Sequence, residues 1–587
     1  MALFTPSESP AVVVKEVDLT GGVPNVQSTT GAIVGNFRWG PVEQRTKIAN
    51  EASLVDTFAS PDTTNAVDFH SASYYLRYSS SLQVVRGITS AAKNSVSSTG
   101  QTAATTPSAV TVKNKANFDA QLANLDSDNQ CWVARYPGAI GNSIAISMCP
   151  PGLNGDSAFD NWTYKANFDA APSASSYVAA RSPSGTEAGD ELHVAIVDSD
   201  GLISGTPGTV LETYPFVSQA LDAKNTDGTS NYLKDIINDR SEYVHFVGWD
   251  SDFTNNGAGN NASAVTDFYY RTTHKTHKLS LGVNSGALGA SEFATGHDLF
   301  EDKDAVEIDF LIAPGMALAG DQTTVTNDLV ATAASLRKDC VVVASPSRAD
   351  IVGQTVAATI TTNLTTAANA LTNSSYLFVD GNYLKVYDKF NDQYIEIPAA
   401  SSTAGIMAAT DTNRAAWFSP AGSRRGQYLG ITSLSWSPDK SQRDTLYKAG
   451  VNPIANIPGQ GVILFGDKTK LARPSAFDRI NVRRLFLVLE RAIGRAAQQV
   501  LFEFNDEFTR AEFVNIVEPV LREVKGRRGI TDFRVIADET NNTAAVIDRN
   551  EFVASIFIKP ARSINYVTLN FVAVRTGVEF EEVVGTV

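Results

Sequence analysis

The stretch from Phe477 to Phe504 constrains this chain more than any other. Leu485, Leu489, Ile493, Ala496 and Val500 step by three and four, so they share one face of a helix. Arg484, Arg491 and Arg495 step by seven and four and form a second line on another face. The segment therefore reads as a basic amphipathic helix, and strands follow it to the final residue. Such a line stands out on a chain with a formal charge of −15. The rest of the surface repels anionic partners, and this line would attract one. The bland reading is a solvated face with local ion pairs, Glu490 being one partner within reach.

A length of 587 residues is too great for one core, and about four domains are expected. Hydrophobic content of 43% with 19% charged residues is ordinary globular composition, rich enough for well-packed cores. The excess of 63 Asp and Glu over 48 Lys and Arg argues against general nucleic-acid binding, which needs a basic surface. It argues equally against anionic membranes. Cys131, Cys149 and Cys340 show no paired spacing, so they read as small buried apolar side chains in a reducing compartment. The start, MALFTPSESPAVVVKEVDL, lacks the cationic and apolar regions of a signal peptide. No apolar run approaches the roughly 18 residues that span a bilayer.

Along the chain, residues 1–25 read as an arm. Val12, Val13, Val14 and Val17 form a short β-prone run, broken after it by Gly21, Gly22 and Pro24. One isolated strand does not stabilise itself in water, so it must pair with a sheet in this or another copy. Residues 26–91 read as the first part of an α/β core, with strands at Gly31 to Gly35 and Leu82 to Arg86 and helices at Ser53 to Phe58 and Asp68 to Tyr78. Residues 92–115 are rich in Ser, Thr, Ala and Gln and read as a linker. The whole of 92–300 reads as a β-rich insertion facing solvent. An α/β rhythm returns over 301–459, with a helix at Val325 to Lys338 and a meander from Tyr376 to Ile397. Residues 460–560 form a C-terminal domain holding the basic helix, a second helix at Arg510 to Lys525 and a strand at Phe533 to Ala537. Residues 561–587 form a strand arm, with Tyr566, Val567, Leu569, Phe571, Val572 and Val574 as its β-prone positions. The expected class is therefore mixed α+β and α/β, in several domains.

Motifs for chemistry are lacking. There is no phosphate-binding GxxxxGK[ST], no dinucleotide fingerprint, no HExxH and no GxSxG. His274 and His277 have a spacing that could hold a metal on a helix, but Arg271, Lys275 and Lys278 would repel the cation, so surface histidines are expected. Asp198-Ser199-Asp200-Gly201 resembles the start of a calcium loop, yet its glycine falls at the fourth position and Thr209 stands where the closing Glu belongs. A turn is expected there. No catalytic residue, metal site or cofactor is assigned.

Several segments, in order, resemble the contractile-tail sheath proteins of myovirus-type phages and related injection machines, closest to the T4-like group. They are Ser9 to Leu19, Val23-Pro24-Asn25, Thr30 to Gly35, Trp39-Gly40-Pro41 and Ala134-Arg135-Tyr136-Pro137-Gly138. Further on come Ala416 to Gly422 with Arg425-Gly426, Leu446 to Ile454, Pro458 to Gly461, and Arg479 to Leu485. Residues 92–300 are only loosely similar. The resemblance implies six-membered rings stacked around a tail tube and terminal arms that add strands to neighbouring copies. It also implies contraction that drives the tube through the host envelope. Partners would be other copies of the chain, a tube protein with an acidic outer surface, and baseplate and terminator proteins, with no direct nucleic acid and no membrane insertion. Arg479, Arg483, Arg484, Arg491 and Arg495 would face the tube, and the β-prone residues of both arms would exchange strands. The competing readings are another tail or baseplate structural protein, and an envelope-glycan hydrolase, for which no acid pair is positioned.

Overall fold

The structure is a computed structural model, and it describes residues 29–98, 108–127, 130–152, 158–269 and 274–563. Two compact units are present. Gln27–Ala416 with Pro420–Val488 form the first, and Trp417–Ser419 join the chain from Leu489 onward in the second.

The first unit begins with β1 (Gly31–Gly35), β2 (Arg45–Ile48) and β3 (Leu82–Arg86). The chain then forms β4 (Val96–Ser98), β5 (Gln130–Ala134), β6 (Ile144–Cys149), β7 (Glu191–Asp198), β8 (Thr209–Ser218), β9 (Val244–Phe246) and β10 (Lys275–Lys278). It continues with β11 (Phe310–Ile312), β12 (Val341–Ala344) and β13 (Leu377–Asp380). A hairpin of β14 (Tyr383–Asp388) and β15 (Gln393–Pro398) precedes the short β16 (Ser433–Leu434) and β17 (Val451–Asn452). Seven strands share one sheet in the order β17-β13-β12-β11-β1-β3-β2. All neighbours are parallel except β2, which runs antiparallel to β3 at one edge. The chain therefore leaves this sheet after β3 and returns to it at β11.

Alternate residues of these strands go to opposite faces, and both faces are buried. Ile33, Val84, Phe310, Ile312, Val341 and Val343 pack with the helices Ala66–Leu76 and Ala400–Asn413. Ala32, Val34, Val85, Leu311 and Val342 pack with Ala290–Asp298, Ala319–Ala331 and Ala357–Ala370. Helices on both sides explain why the β1 run GAIVG is apolar throughout. Gly31 is required at its start, because a Cβ there would lie 2.7 Å from the Tyr75 ring.

Between β3 and β11 the strands form a sheet of β10-β6-β7-β8 and another of β4-β5-β9. Trp132, Ile146, Val194, Leu233 and Phe246 are among the residues of their shared core. His193 lies among Phe159, Trp162, Phe168 and Phe216. Its Nδ1 accepts from the Phe216 N–H at 3.0 Å, so Nε2 donates to the Ala170 carbonyl at 2.7 Å, and burial lowers its pKa. That histidine is structural.

Arg86, at the end of β3, ties this region to the seven-stranded sheet. Its guanidinium is buried and donates to the carbonyls of Phe37 (2.8 Å), Gly40 (2.9 Å), Arg38 (3.2 Å) and Pro137 (2.7 Å). Trp39 meets Tyr136 edge to face at 5.4 Å. The segments Trp39-Gly40-Pro41 and Tyr136-Pro137-Gly138, about a hundred residues apart in sequence, thus converge on one side chain. Burial pulls its pKa down to about 9.

Most expected elements are found within a few residues of their expected ends, and the mixed α/β multidomain class is the one observed. Several differ. Lys115–Ser127 is a helix just after the expected linker, and Val96–Ser98 within that linker is a strand. Thr209–Ser218 is a ten-residue strand that glycine and polar neighbours concealed. Ala400–Asn413 is a helix buried on nearly every side, so small residues replace amphipathic periodicity and leave no pattern to read. Val325 to Lys338 is not one regular helix: Ala319–Ala331 passes into a π-turn at Thr332–Arg337, which ends at Lys338 with φ 61°.

The Asp198 turn is a turn. The carboxylate accepts from the N–H groups of Leu202, Ile203 and Ser204 at 2.7–3.1 Å, so its lone pairs face donors rather than a cation. His277 corrects the surface-histidine expectation. It lies on β10 rather than on a helix, and it is buried with Nε2 3.1 Å from Asp250, which also pairs Lys275 at 2.5 Å. Cys131, Cys149 and Cys340 are free and buried. Among the described residues no His, Cys, Asp and Glu cluster could hold a metal, and no helix is long and apolar enough to cross a membrane.

Candidate assembly interface

The chain from β17 onward carries the surfaces that the sequence singled out. β18 (Ile454–Ile457) and β19 (Gly461–Leu464) form an antiparallel hairpin. The expected amphipathic helix follows as Ile480–Gln498, shorter than its basic stretch. Leu485, Leu489 and Ala496 are buried, as one apolar face requires.

The arginine line does not behave as one surface. Arg483 and Arg484 are 8% and 3% exposed. Arg484 pairs with Asp411, donates to the Met407 carbonyl at 3.3 Å and lies 5.0 Å from the Phe310 ring centre. Arg483 donates twice to Ser375 Oγ, at 2.8 and 3.1 Å, and is sandwiched near the Tyr376 and Phe477 rings at 4.3 and 4.2 Å. Arg479 is half-buried, bonded to Asp467 at 2.8 Å and to the Tyr447 hydroxyl. These three therefore anchor the helix start to the first unit. The expectation that Arg483 and Arg484 present charge to a partner is corrected. Helical spacing fixes which face a residue is on, but not what covers that face. Arg491 and Arg495 lie in the second unit and are half-buried.

The second unit continues with the helix Glu507–Gly526, β20 (Ile530–Ile536) and β21 (Ser555–Pro560). Asp506 caps that helix by accepting the Thr509 N–H at 2.8 Å. Trp417 donates from Nε1 to the Arg527 carbonyl at 3.1 Å, and a Cβ at Gly529 would lie 3.0 Å from its ring. That contact explains why Trp417–Ser419 belong to this unit. β20 and β21 form a two-stranded antiparallel sheet, and among the described residues no third strand lies on either edge. Two strands alone are marginally stable in water, and their outer edges carry N–H and C=O groups suited to another strand. Val12, Val13, Val14, Val17 and Tyr566, Val567, Leu569, Phe571, Val572 and Val574 lie outside the described residues.

Sequence reasoning missed Asp411, Asp467 and Ser375 as partners of the arginines, because nothing local marks residues 73, 12 and 108 positions away.

Known proteins place these features in one family. Residues 294–470 match the model of the phage tail sheath protein central domain, and residues 472–573 that of the phage tail sheath C-terminal domain. The tail sheath protein of Enterobacteria phage T4 is 34% identical over 98% of this chain and 99% of its own length. That of Vibrio phage KVP40 is 31% identical over 98% and 99%. Among solved structures, a sheath tail protein from Desulfitobacterium hafniense shares the fold, with a TM-score of 0.51 at 11% identity over 94% of this chain and all of that one. One from Listeria innocua also gives 0.51 at 11% identity, over 91% and 96%. The full-length identity with the phage proteins and the two matched domains make this chain a member of the phage tail sheath protein family.

Proposed function

We propose that this protein polymerises with copies of itself as stacked six-membered rings around a tail tube, and that the rings contract to drive the tube through the host envelope for DNA delivery. The observation that carries the reading is the β20–β21 pair, a minimal sheet with both outer edges open to strands among the described residues. The β-prone segments at Val12 to Val17 and Tyr566 to Val574 are the strands offered to neighbouring copies. Contacts of this heterologous kind build helical assemblies rather than closed dimers. Main-chain bonds of that sort can persist while the bodies they join rotate.

In this reading residues 1–25 and 561–587 are the arms, 92–300 the outward-facing part and 460–560 the tube-facing domain. Arg491 and Arg495, half-buried in the second unit, are the arginines that face an acidic tube surface. Baseplate and terminator proteins are partners at the two ends, and neither nucleic acid nor membrane is contacted directly. The protein is structural rather than enzymatic, is assembled in the host cytoplasm and resides in the virion tail.

Electron microscopy of the purified protein tests the proposal. Long hollow tubes with six-fold rings are expected. Removal of residues 1–20 should leave a folded monomer that forms none, and normal tubes from the truncated chain would refute the arm claim.

A further inference from the structure

One histidine of the first unit is enclosed without a partner. His245 on β9 is fully buried, and neither of its ring nitrogens has a hydrogen-bond partner among the described residues. Buried polar groups are nearly always paired, so an exception calls for an explanation. His193 is buried as deeply, but both of its nitrogens are bonded.

Strand register places His245 in a small apolar core. It stands opposite Val133 of β5, and Val133 stands opposite Val96 of β4. Residues directly opposite share a face of a sheet, and Val247, two positions on from His245, points the same way. The helix Lys115–Ser127 covers this face with Phe118, Leu122 and Leu125, which cluster with Val96, Val133 and Val247. The Phe118 ring stacks on the imidazole, with 4.0 Å between centres and 10° between planes. The helix start is tied down separately. Asn114 accepts the Asn117 N–H at 3.0 Å and donates from Nδ2 to the Val42 carbonyl at 3.1 Å.

A neutral imidazole suits this core as a flat ring. A charged one does not, because the charges that act on it are both positive. Arg135 follows β5, and Lys115 opens the helix, with Nζ 5.8 Å from the Phe118 ring centre and paired to exposed Asp119 at 2.5 Å. β4, β5 and β9 carry no other charged side chain. Burial and the two cations push the His245 pKa down to about 3.

We propose that His245 is an acid latch: taking up a proton releases the helix Lys115–Ser127 from the β4-β5-β9 sheet and uncovers the apolar face beneath it. The closed form excludes the proton. The open form, with the imidazole in water, accepts it at the ordinary histidine pKa of 6.5. Acid below that value therefore favours opening by about tenfold per pH unit, until the closed form titrates as well. The latch lies in the region that the sheath reading turns outward, and it does not depend on that reading.

Hydrogen exchange of the full chain, followed by mass spectrometry, tests the latch. Protection factors remove the intrinsic pH dependence of exchange. That of Lys115–Ser127 should fall by about 25-fold from pH 7 to pH 5. The helix Ala357–Ala370, which has no titratable side chain, should keep its protection over the same range. His245→Phe keeps a ring under the helix and removes the proton site, so the fall should vanish. A fall that persists in the variant, or one matched by Ala357–Ala370, would overturn the proposal. A second measurement needs no variant. Exchange at the imidazole C2 position of the unaltered protein should show His245 titrating below about pH 5, and titration at the ordinary histidine value would also overturn it.

Discussion

The two compact units use their side chains in opposite ways. In the first, even charged groups are turned inward and answered: Arg86 by four carbonyls, and Arg484 by Asp411 and a carbonyl. In the second, the large apolar groups Leu501, Phe502, Phe504, Phe508 and Phe557 face outward, and a two-stranded sheet shows no further strand among the described residues. The first unit also leaves large apolar groups exposed, Leu318, Val356 and Tyr394 among them, but they are spread over a far longer stretch of chain. Among its described residues the second has the composition of an interface, with grouped apolar area that association would remove from water.

The largest expected effect that tests this contrast is Arg484→Glu. The change removes the partner of buried Asp411 and sets a second carboxylate beside it. Breaking a buried ion pair costs about 3–5 kcal/mol, and like charge adds to that. In a unit of several hundred residues each kcal/mol lowers the melting temperature by only about 1 °C, so a fall of about 3–5 °C or more is expected. A variant that melts with the native protein would show that the helix start is not an anchor.

A smaller effect concerns protons. Asp380 is buried at the end of β13, and burial raises its pKa to about 7 although Ser345 donates to it at 2.8 Å and Thr403 at 3.2 Å. The folded state holds this proton more tightly than the unfolded chain does. Raising the pH from about 4 to 7 therefore removes stability, by roughly 3 kcal/mol, and the loss levels off above the folded pKa. Asp68, raised to about 6 by burial, adds a slope of the same sign. Exposed carboxyls of the second unit behave oppositely. Asp506, hydrogen-bonded to the Thr509 N–H, and Asp532, paired with Lys525, have lowered pKa values and lose their contribution only as the solution turns acid. Denaturant titrations of Asp380→Asn from pH 4 to 8 should show a flatter profile than the native protein; an identical profile would remove Asp380 from the account.

Much of this architecture was legible in the residues. Strands buried on both faces, such as Gly31–Gly35 and Leu82–Arg86, announce themselves as apolar runs between turn residues. The helix Glu507–Gly526 shows its apolar face at Phe513, Val517, Leu521 and Val524. The helix Ala400–Asn413 was not legible, because burial on nearly all sides erases periodicity. The arginine line was half legible: its spacing was right, and its surroundings were not. Arg86 could not be read at all as a clamp, since its carbonyl partners are backbone atoms that no side-chain pattern encodes. The run Leu501-Phe502-Glu503-Phe504 was visible, but it falls within the stretch that helical spacing claimed, which concealed the turn.

The smallest expected effect on stability separates the two halves of one helix. Arg491→Glu with Arg495→Glu reverses two charges of the same line as Arg484, one and nearly two turns into the second unit. Both side chains are half-buried rather than enclosed, and ion pairs at such exposure are worth about 0–1 kcal/mol each. The melting temperature should move by no more than a few degrees. Assembly is another matter, because a weak contact repeated on every copy of every ring acts collectively. Sheath formation on purified tubes should weaken and should do so more steeply at low salt, where exposed charges are least screened. A double reversal that melts far below the native protein would mean that these arginines anchor the second unit as Arg484 anchors the first. The contrast between the two units would then have to be drawn further along the chain, at the exposed run Leu501 to Phe504.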